Sequence, residues 1–221
     1  MPATYRQRVP RPIDARPGEP PPWLTRPRAE RASVPVGRLR RAMGGWAASL
    51  PTGPVDSSVL VPVVERDGEA QLVFIRRSTA LARDPGHIAF PGGHLEAAEQ
   101  PLEAALREAQ EEIGLDPGLV EVVGSFGVVR SPRRERVVPF VGLVTGHPAF
   151  VADDHEVAAI LEVPAASLAA DTTCWQERWG PIGADAGVSF FAGVPELADD
   201  LVWGLTAGIV WELLAAIFAE P

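Results

Sequence analysis

Between Gly93 and Leu115 the chain reads GHLEAAEQPLEAALREAQEEIGL. A glycine, then Glu99, then Arg107 and Glu108, then Glu111, Glu112 and Gly114 follow at fixed intervals. Residues three and four apart share a helix face, so Glu108, Glu111 and Glu112 project together, with Glu99 near the same end. Like charges at that spacing repel, at roughly a few tenths of a kcal/mol per pair on an exposed helix. A hard divalent cation removes the repulsion, because Mg²⁺ is held by one or two carboxylates together with substrate phosphate oxygens. Immediately upstream, Pro91 fixes Gly92 and Gly93, whose backbone amides and carbonyls stand open to a metal or a phosphate. The chemistry on offer is metal-assisted attack on a phosphate-bearing substrate. Arg107 is expected to point away from Glu108 and to pair with Glu103 or Glu111.

These residues need a scaffold. Pro101–Ile113 reads as a helix, with Pro101 suited to its first turn and Gly114 to the left-handed stop after it. Leu102, Ala105, Leu106, Ala109 and Ile113 form its apolar face. Upstream, Ser57–Arg66 and Ala70–Arg77 read as strands joined by the turn Asp67-Gly68. Downstream, strands are expected at Val120–Val129, Val137–Thr145, Val157–Val163, Thr172–Trp179 and Val188–Phe191. A short helix is expected at Pro164–Ala169, and a final helix over Leu201–Ala219 with Leu205, Ile209, Leu213 and Ile217 on one stripe. Gly37–Leu50 has helical spacing at Leu39, Met43 and Trp46, weakened by Gly44-Gly45. Strands and helices do not alternate regularly, so the expected class is α+β, a mixed sheet with helices on its faces.

Nine of the first 35 residues are Pro, which bars a regular helix or central strand there. Residues 1–35 are therefore expected as an irregular Pro/Arg-rich extension and residues 36–221 as the folded domain. Residues 1–41 hold ten Arg against three acids, while the whole chain carries a net charge of −9. The acidic body argues against a general nucleic-acid binder. No run of about 18 apolar residues is present, so no membrane-spanning helix is expected. The amino terminus has no apolar stretch of the kind a secretory signal needs. Cys174 is alone, which excludes an internal disulfide and suits a reducing cytoplasm.

A solvated acidic helix would explain Glu108–Glu112 by themselves. It does not explain the full spacing: seven positions at ~6% usage over ~200 starts match by chance with a probability on the order of 10⁻⁶. The stretch resembles the Nudix box, G-x5-E-x7-R-E-U-x-E-E-x-G-U, at Gly93, Glu99, Arg107, Glu108, Ala109, Glu111, Glu112, Gly114 and Leu115. That resemblance implies the Nudix fold, an α/β/α sandwich around a mixed sheet. It implies hydrolysis of a diphosphate linked to another group, with Mg²⁺ or Mn²⁺. Glu108 and Glu112 would be the main metal ligands, assisted by Glu111 and the Gly92 carbonyl. Glu99 and Arg107 would hold loop and helix together. Glu111 or Glu156, from the acidic loop Asp153-Asp154-His155-Glu156, would take a proton from water.

The residues before the box bear on the substrate. Val73–Gly93, VFIRRSTALARDPGHIAFPGG, resembles the signature of coenzyme A pyrophosphatases within that family, with Arg77, Ser78, Gly86, Phe90, Pro91, Gly92 and Gly93 in register. Ala82 stands where that pattern has Arg, and Arg83 follows one place later. Arg136–Val144 and Leu201–Val210 resemble the same group's central strand and the start of its last helix. The implied substrate is CoA or acyl-CoA, bound by Arg77, Ser78, Arg83, Gly86, His87, Phe90 and Gly93. Two arginines beside a glycine loop can fork onto phosphate oxygens. Rival readings are a pyrophosphatase for another nucleoside diphosphate (ADP-ribose, NADH or an oxidised nucleotide) and a silent nucleotide-binding module. Beyond a small-molecule substrate, the partners left open are a second copy of the chain in a homodimer and a docking role for the tail.

Overall fold

A computed structural model describes residues 5–44, 53–131, 134–181 and 185–219. The chain begins with β1 (Arg16–Pro17), α1 (Arg28–Arg31) and α2 (Val36–Met43). The helix expected over Gly37–Leu50 ends at Met43, and Trp46 and Leu50 lie outside the described residues. Next come β2 (Ser57–Arg66) and β3 (Glu69–Arg77), an antiparallel hairpin closed at Asp67-Gly68. The glycine loop contributes two short strands the sequence reading missed, β4 (Ile88–Ala89) and β5 (Gly92–His94). Then α3 (Pro101–Ile113), β6 (Val120–Ser125), β7 (Val129–Arg130), β8 (Arg136–Val144), β9 (Val157–Pro164) and α4 (Ala165–Leu168) follow. The chain closes with β10 (Cys174–Trp179), β11 (Ala186–Phe191), β12 (Val202–Trp203) and α5 (Gly204–Ala219).

The central sheet runs β4-β3-β2-β8-β6, with β9 paired to β3, β5 to β2 and β7 to β8. β2 and β8 are parallel and the other pairs antiparallel, so the sheet is mixed, as expected. Alternate side chains of a strand face opposite sides. Leu60, Val64, Val73, Ile75, Val138 and Phe140 pack with Ala105, Ala109 and Ile113 of α3 on one face. Val61, Val63, Leu72, Phe74, Val141 and Leu143 pack with α2 and α5 on the other. The mixed sheet thus lies between helices, the α+β arrangement expected from the sequence. The strands expected at 172–179 and 188–191 do not join it. They form a separate antiparallel sheet, β1-β10-β11-β12. Among the described residues, no helix is long and apolar enough to cross a membrane.

The final helix starts later than Leu201. Val202 and Trp203 pair with Phe191 and Phe190, and the helix begins at Gly204. Residues 5–35 have little regular structure, but they lie against the body rather than extending from it. Trp23 is 1% exposed and sits edge-on to Trp211 at 4.9 Å between ring centres. Arg31 is buried and donates to the Ala169 carbonyl.

Candidate active site

α3 is held at both ends by local chemistry. Gln100 and Glu103 form a reciprocal capping box at its start, so Glu103 is not the partner of Arg107. Gly114, at φ 66°, turns the chain out of the helix through the left-handed region. The preceding loop is pressed onto β2: a Cβ on Gly92 would lie 2.6 Å from Val59 Cα, and one on Gly93 would lie 2.5 Å from Glu108 Cδ. Only glycine lets this backbone and the acidic helix face approach so closely.

The three box carboxylates share a face but not an environment. The Glu112 side chain is 3% exposed, Glu108 is 17% and Glu111 is 59%. Glu112 Oε2 accepts from the Gly92 amide at 2.9 Å, and its Oε1 lies 3.8 Å from Arg77 Nη1. Burial pushes the Glu112 carboxyl up to about 8; Glu108 and Glu156 add to the shift, while the Gly92 amide and Arg77 oppose it. Burial also raises Glu108, against the opposing pull of Arg107.

Arg107 ties the loop to the helix. It donates through Nε to Glu99 Oε1 at 2.8 Å, and through Nη1 to both Glu108 Oε1 and Glu111 Oε2 at 3.0 Å. Its Nη2 reaches the His94 carbonyl at 3.2 Å. The pairing with Glu111 matches the expectation, whereas Arg107 turns toward Glu108 rather than away from it. Three surrounding carboxylates draw the guanidinium in.

Glu108, Glu111 and Glu112 face Asp153, His155 and Glu156 across a cavity of about 220 Å³. The loop is fixed by Asp153, whose amide donates to the Glu112 carbonyl and whose Oδ1 accepts from His155 and Glu156 amides. Among the described residues, no three His, Cys, Asp or Glu side chains stand together in an arrangement that encloses an ion. Glu108 and Glu111 are turned to Arg107 instead. The donor chemistry nonetheless fits a hard cation: the facing groups are mostly carboxylates, and the innermost is buried with, among the described residues, no cationic side chain nearer than 3.8 Å.

A second cavity of about 550 Å³ adjoins this one, with Arg77 and Gly92 at the seam. Of the residues expected to touch substrate, Arg77, His87 and Phe90 line it, with Gly92. Phe90 is buried and stacked on Phe74 at 4.6 Å, so its ring belongs to the core as much as to the wall. Ser78, Arg83, Gly86 and Gly93 do not line it. The Ser78 amide binds the Glu156 carbonyl, and Gly86 accepts from Gln7. Arg83, one place after Ala82, is exposed and contacts His94 at 3.1 Å and Glu135 at 3.4 Å. The cavity also holds Arg8 and Pro10, which the sequence reading did not single out, and Trp203 and Thr206 from the stretch Leu201–Val210. No local signal marked Arg8, because its position depends on contacts far away in sequence.

The sequence description "NUDIX domain" matches residues 41–180. The chain belongs to the Nudix family. The uncharacterized Nudix hydrolase NudL of Citrobacter koseri is 35% identical over 167 residues, covering 75% of this chain and 84% of that protein. The protein of the same name from Escherichia coli K12 is 34% identical over the same shares. The crystal structure of a MutT/nudix family protein from Enterococcus faecalis superposes with a TM-score of 0.47 at 18% identity, covering 74% of this chain and 62% of that one. This Nudix chain is a hydrolase, a pyrophosphatase acting on phosphoanhydrides.

Proposed function

We propose that this Nudix hydrolase cleaves the diphosphate of coenzyme A or acyl-CoA, giving 4′-phosphopantetheine (or its acyl derivative) and 3′,5′-ADP. The observation that carries the reading is the meeting of two motifs at Arg77. It lies in the stretch resembling the CoA signature, lines the 550 Å³ cavity, and stands 3.8 Å from Glu112 of the Nudix box. A diphosphate laid across that seam would meet a guanidinium on one side and the acidic cavity on the other.

Glu108, Glu111 and Glu112, with the Gly92 carbonyl, would hold Mg²⁺ or Mn²⁺. A divalent ion there supplies charge neutralisation and a more acidic water. The chain's own residues do the rest. Arg77 orients the diphosphate. The Glu156 or Glu111 carboxylate takes the proton of the water that attacks one phosphorus in line with the leaving oxygen. Arg107, joined to Glu99, Glu108 and Glu111, keeps helix and loop in register.

A second reading, a pyrophosphatase for ADP-ribose, NADH or an oxidised nucleotide, is favoured by the side chains at 82 and 83. Ala82 offers no charge, and Arg83, which does not line the cavity, is engaged by His94 and by Glu135 of the cavity wall. Turnover of CoA, acyl-CoA, ADP-ribose and NADH with Mg²⁺ separates the two. If CoA is cleaved no faster than NADH, the CoA reading is dropped.

A further inference from the structure

The segment Tyr5–Arg11 lies outside the residues that match the family description, yet it forms part of the cavity that Arg77 lines. Its side chains alternate. Arg8 and Pro10 line the 550 Å³ cavity, whereas Tyr5, Gln7, Val9 and Arg11 line a separate cavity of about 740 Å³. An extended chain sends successive side chains to opposite sides, so this strap is a partition between two cavities.

The strap is anchored. Gln7, 6% exposed, donates to the Gly86 carbonyl and to Asp200 Oδ1, both at 2.9 Å, and accepts from the Leu201 amide at 2.7 Å. The Arg6 amide donates to the Asp199 carbonyl at 3.0 Å. Asp200 is fully buried and also accepts from Arg76. These anchors fall next to two cavity residues: His87 follows Gly86, and Trp203 lies two places after Leu201. Their rings meet edge to face at 5.4 Å.

Arg8 is exposed and, among the described residues, has no hydrogen-bond or ion-pair partner. The cavity's acids are engaged elsewhere: Glu135 lies 3.4 Å from Arg83, and Asp84 lies 4.0 Å from His87. Arg8 is thus an uncommitted guanidinium on the wall of the cavity that His87, Trp203 and Arg77 also line. Aromatic faces take a planar base, and a free guanidinium takes a phosphate monoester through paired N–H···O bonds.

We propose that the strap builds a subsite for the nucleoside end of the substrate, with the base against Trp203 and His87 and Arg8 on a phosphate monoester of the ribose. This rests on the CoA reading, since CoA carries a 3′-phosphate besides its diphosphate and NADH and ADP-ribose carry none.

The test titrates the full-length protein calorimetrically with 3′,5′-ADP and with 5′-AMP, in wild type, Arg8→Gln and Arg8→Lys. The wild type should prefer 3′,5′-ADP by about tenfold, the scale of one charge-assisted contact at a partly exposed site. Arg8→Gln should erase that preference while shifting 5′-AMP less than about twofold, and Arg8→Lys should keep part of it. No preference in the wild type, an unchanged preference in Arg8→Gln, or equal weakening of both nucleotides would each overturn the proposal. Wild-type hydrolysis of CoA against NADH judges the substrate reading separately. Poor CoA cleavage with the Arg8-dependent preference intact removes that reading and leaves the subsite. Good CoA cleavage without the preference removes the subsite and leaves the reading.

Discussion

Glu112→Gln should make the metal-free protein more stable at high pH while abolishing hydrolysis. The Glu112 carboxyl is pushed from its ordinary 4.5 up to about 8, first by burial and then by Glu108 and Glu156. Below pH 4.5 the group is neutral whether the chain is folded or not, and it has no effect on stability. Between pH 4.5 and about 8 the unfolded chain releases this proton and the folded chain keeps it. Unfolding is therefore favoured by about 1.4 kcal/mol per pH unit across that window, and by nothing further above it. The whole window amounts to a ceiling of about 5 kcal/mol against the fold. The Gln side chain is near-isosteric, retains a carbonyl oxygen for the Gly92 amide and has no proton to lose.

The assay is urea unfolding of both proteins in EDTA at steps from pH 5 to pH 9. The two should be nearly equal at pH 5, with Glu112→Gln ahead by several kcal/mol at pH 9. Adding Mg²⁺ at pH 8 should raise the wild type more than the variant, because an ion bound only by the folded state stabilises that state. A stability difference that stays flat within about 1 kcal/mol across the range would refute the assignment of Glu112 as a buried, strained carboxylate.

Four other outcomes can be checked directly. Gly92→Ala places a Cβ 2.6 Å from Val59 Cα, so thermal and urea unfolding should show a loss of at least about 1–3 kcal/mol. Asp200→Ala removes the acceptor of both Gln7 and Arg76 and should cost about 3 kcal/mol by urea titration, with a neutral result arguing against the buried network. Burial pushes the Cys174 thiol up to about 12, so at pH 8 its reaction with a disulfide reagent should be slower in the native protein than in urea by about 100-fold or more. Trp23→Ala should cost about 3–5 kcal/mol, since the ring is buried between Phe191 and Trp211; a change under about 1 kcal/mol would return residues 5–35 to the status of a loose tail.

What could be read from the sequence is what local chemistry dictates. Ser57–Arg66 and Pro101–Ile113 appear with the expected bounds because a two-residue turn, a first-turn proline and a terminal glycine mark their edges within the stretch itself. What could not be read is held by partners distant in the chain. Gly92–His94 is a strand only because Ser57–Val59 lies beside it, and Val202–Trp203 leaves the final helix because β11 offers it a ladder. The same division runs through the site. The helical spacing puts Glu108, Glu111 and Glu112 on one face, but their unequal burial follows from the glycine loop pressed over Glu112. The Nudix box could thus be recognised from spacing alone, because its spacing is its geometry. Arg8 had no such mark. It stands among prolines and arginines that resemble a solvated tail, and it reaches the cavity through Gln7, whose three hydrogen bonds span 79, 193 and 194 positions of sequence. Substrate choice in this chain is therefore expected to respond to changes in residues 5–11 as strongly as to changes in the stretch from Arg77 to Phe90.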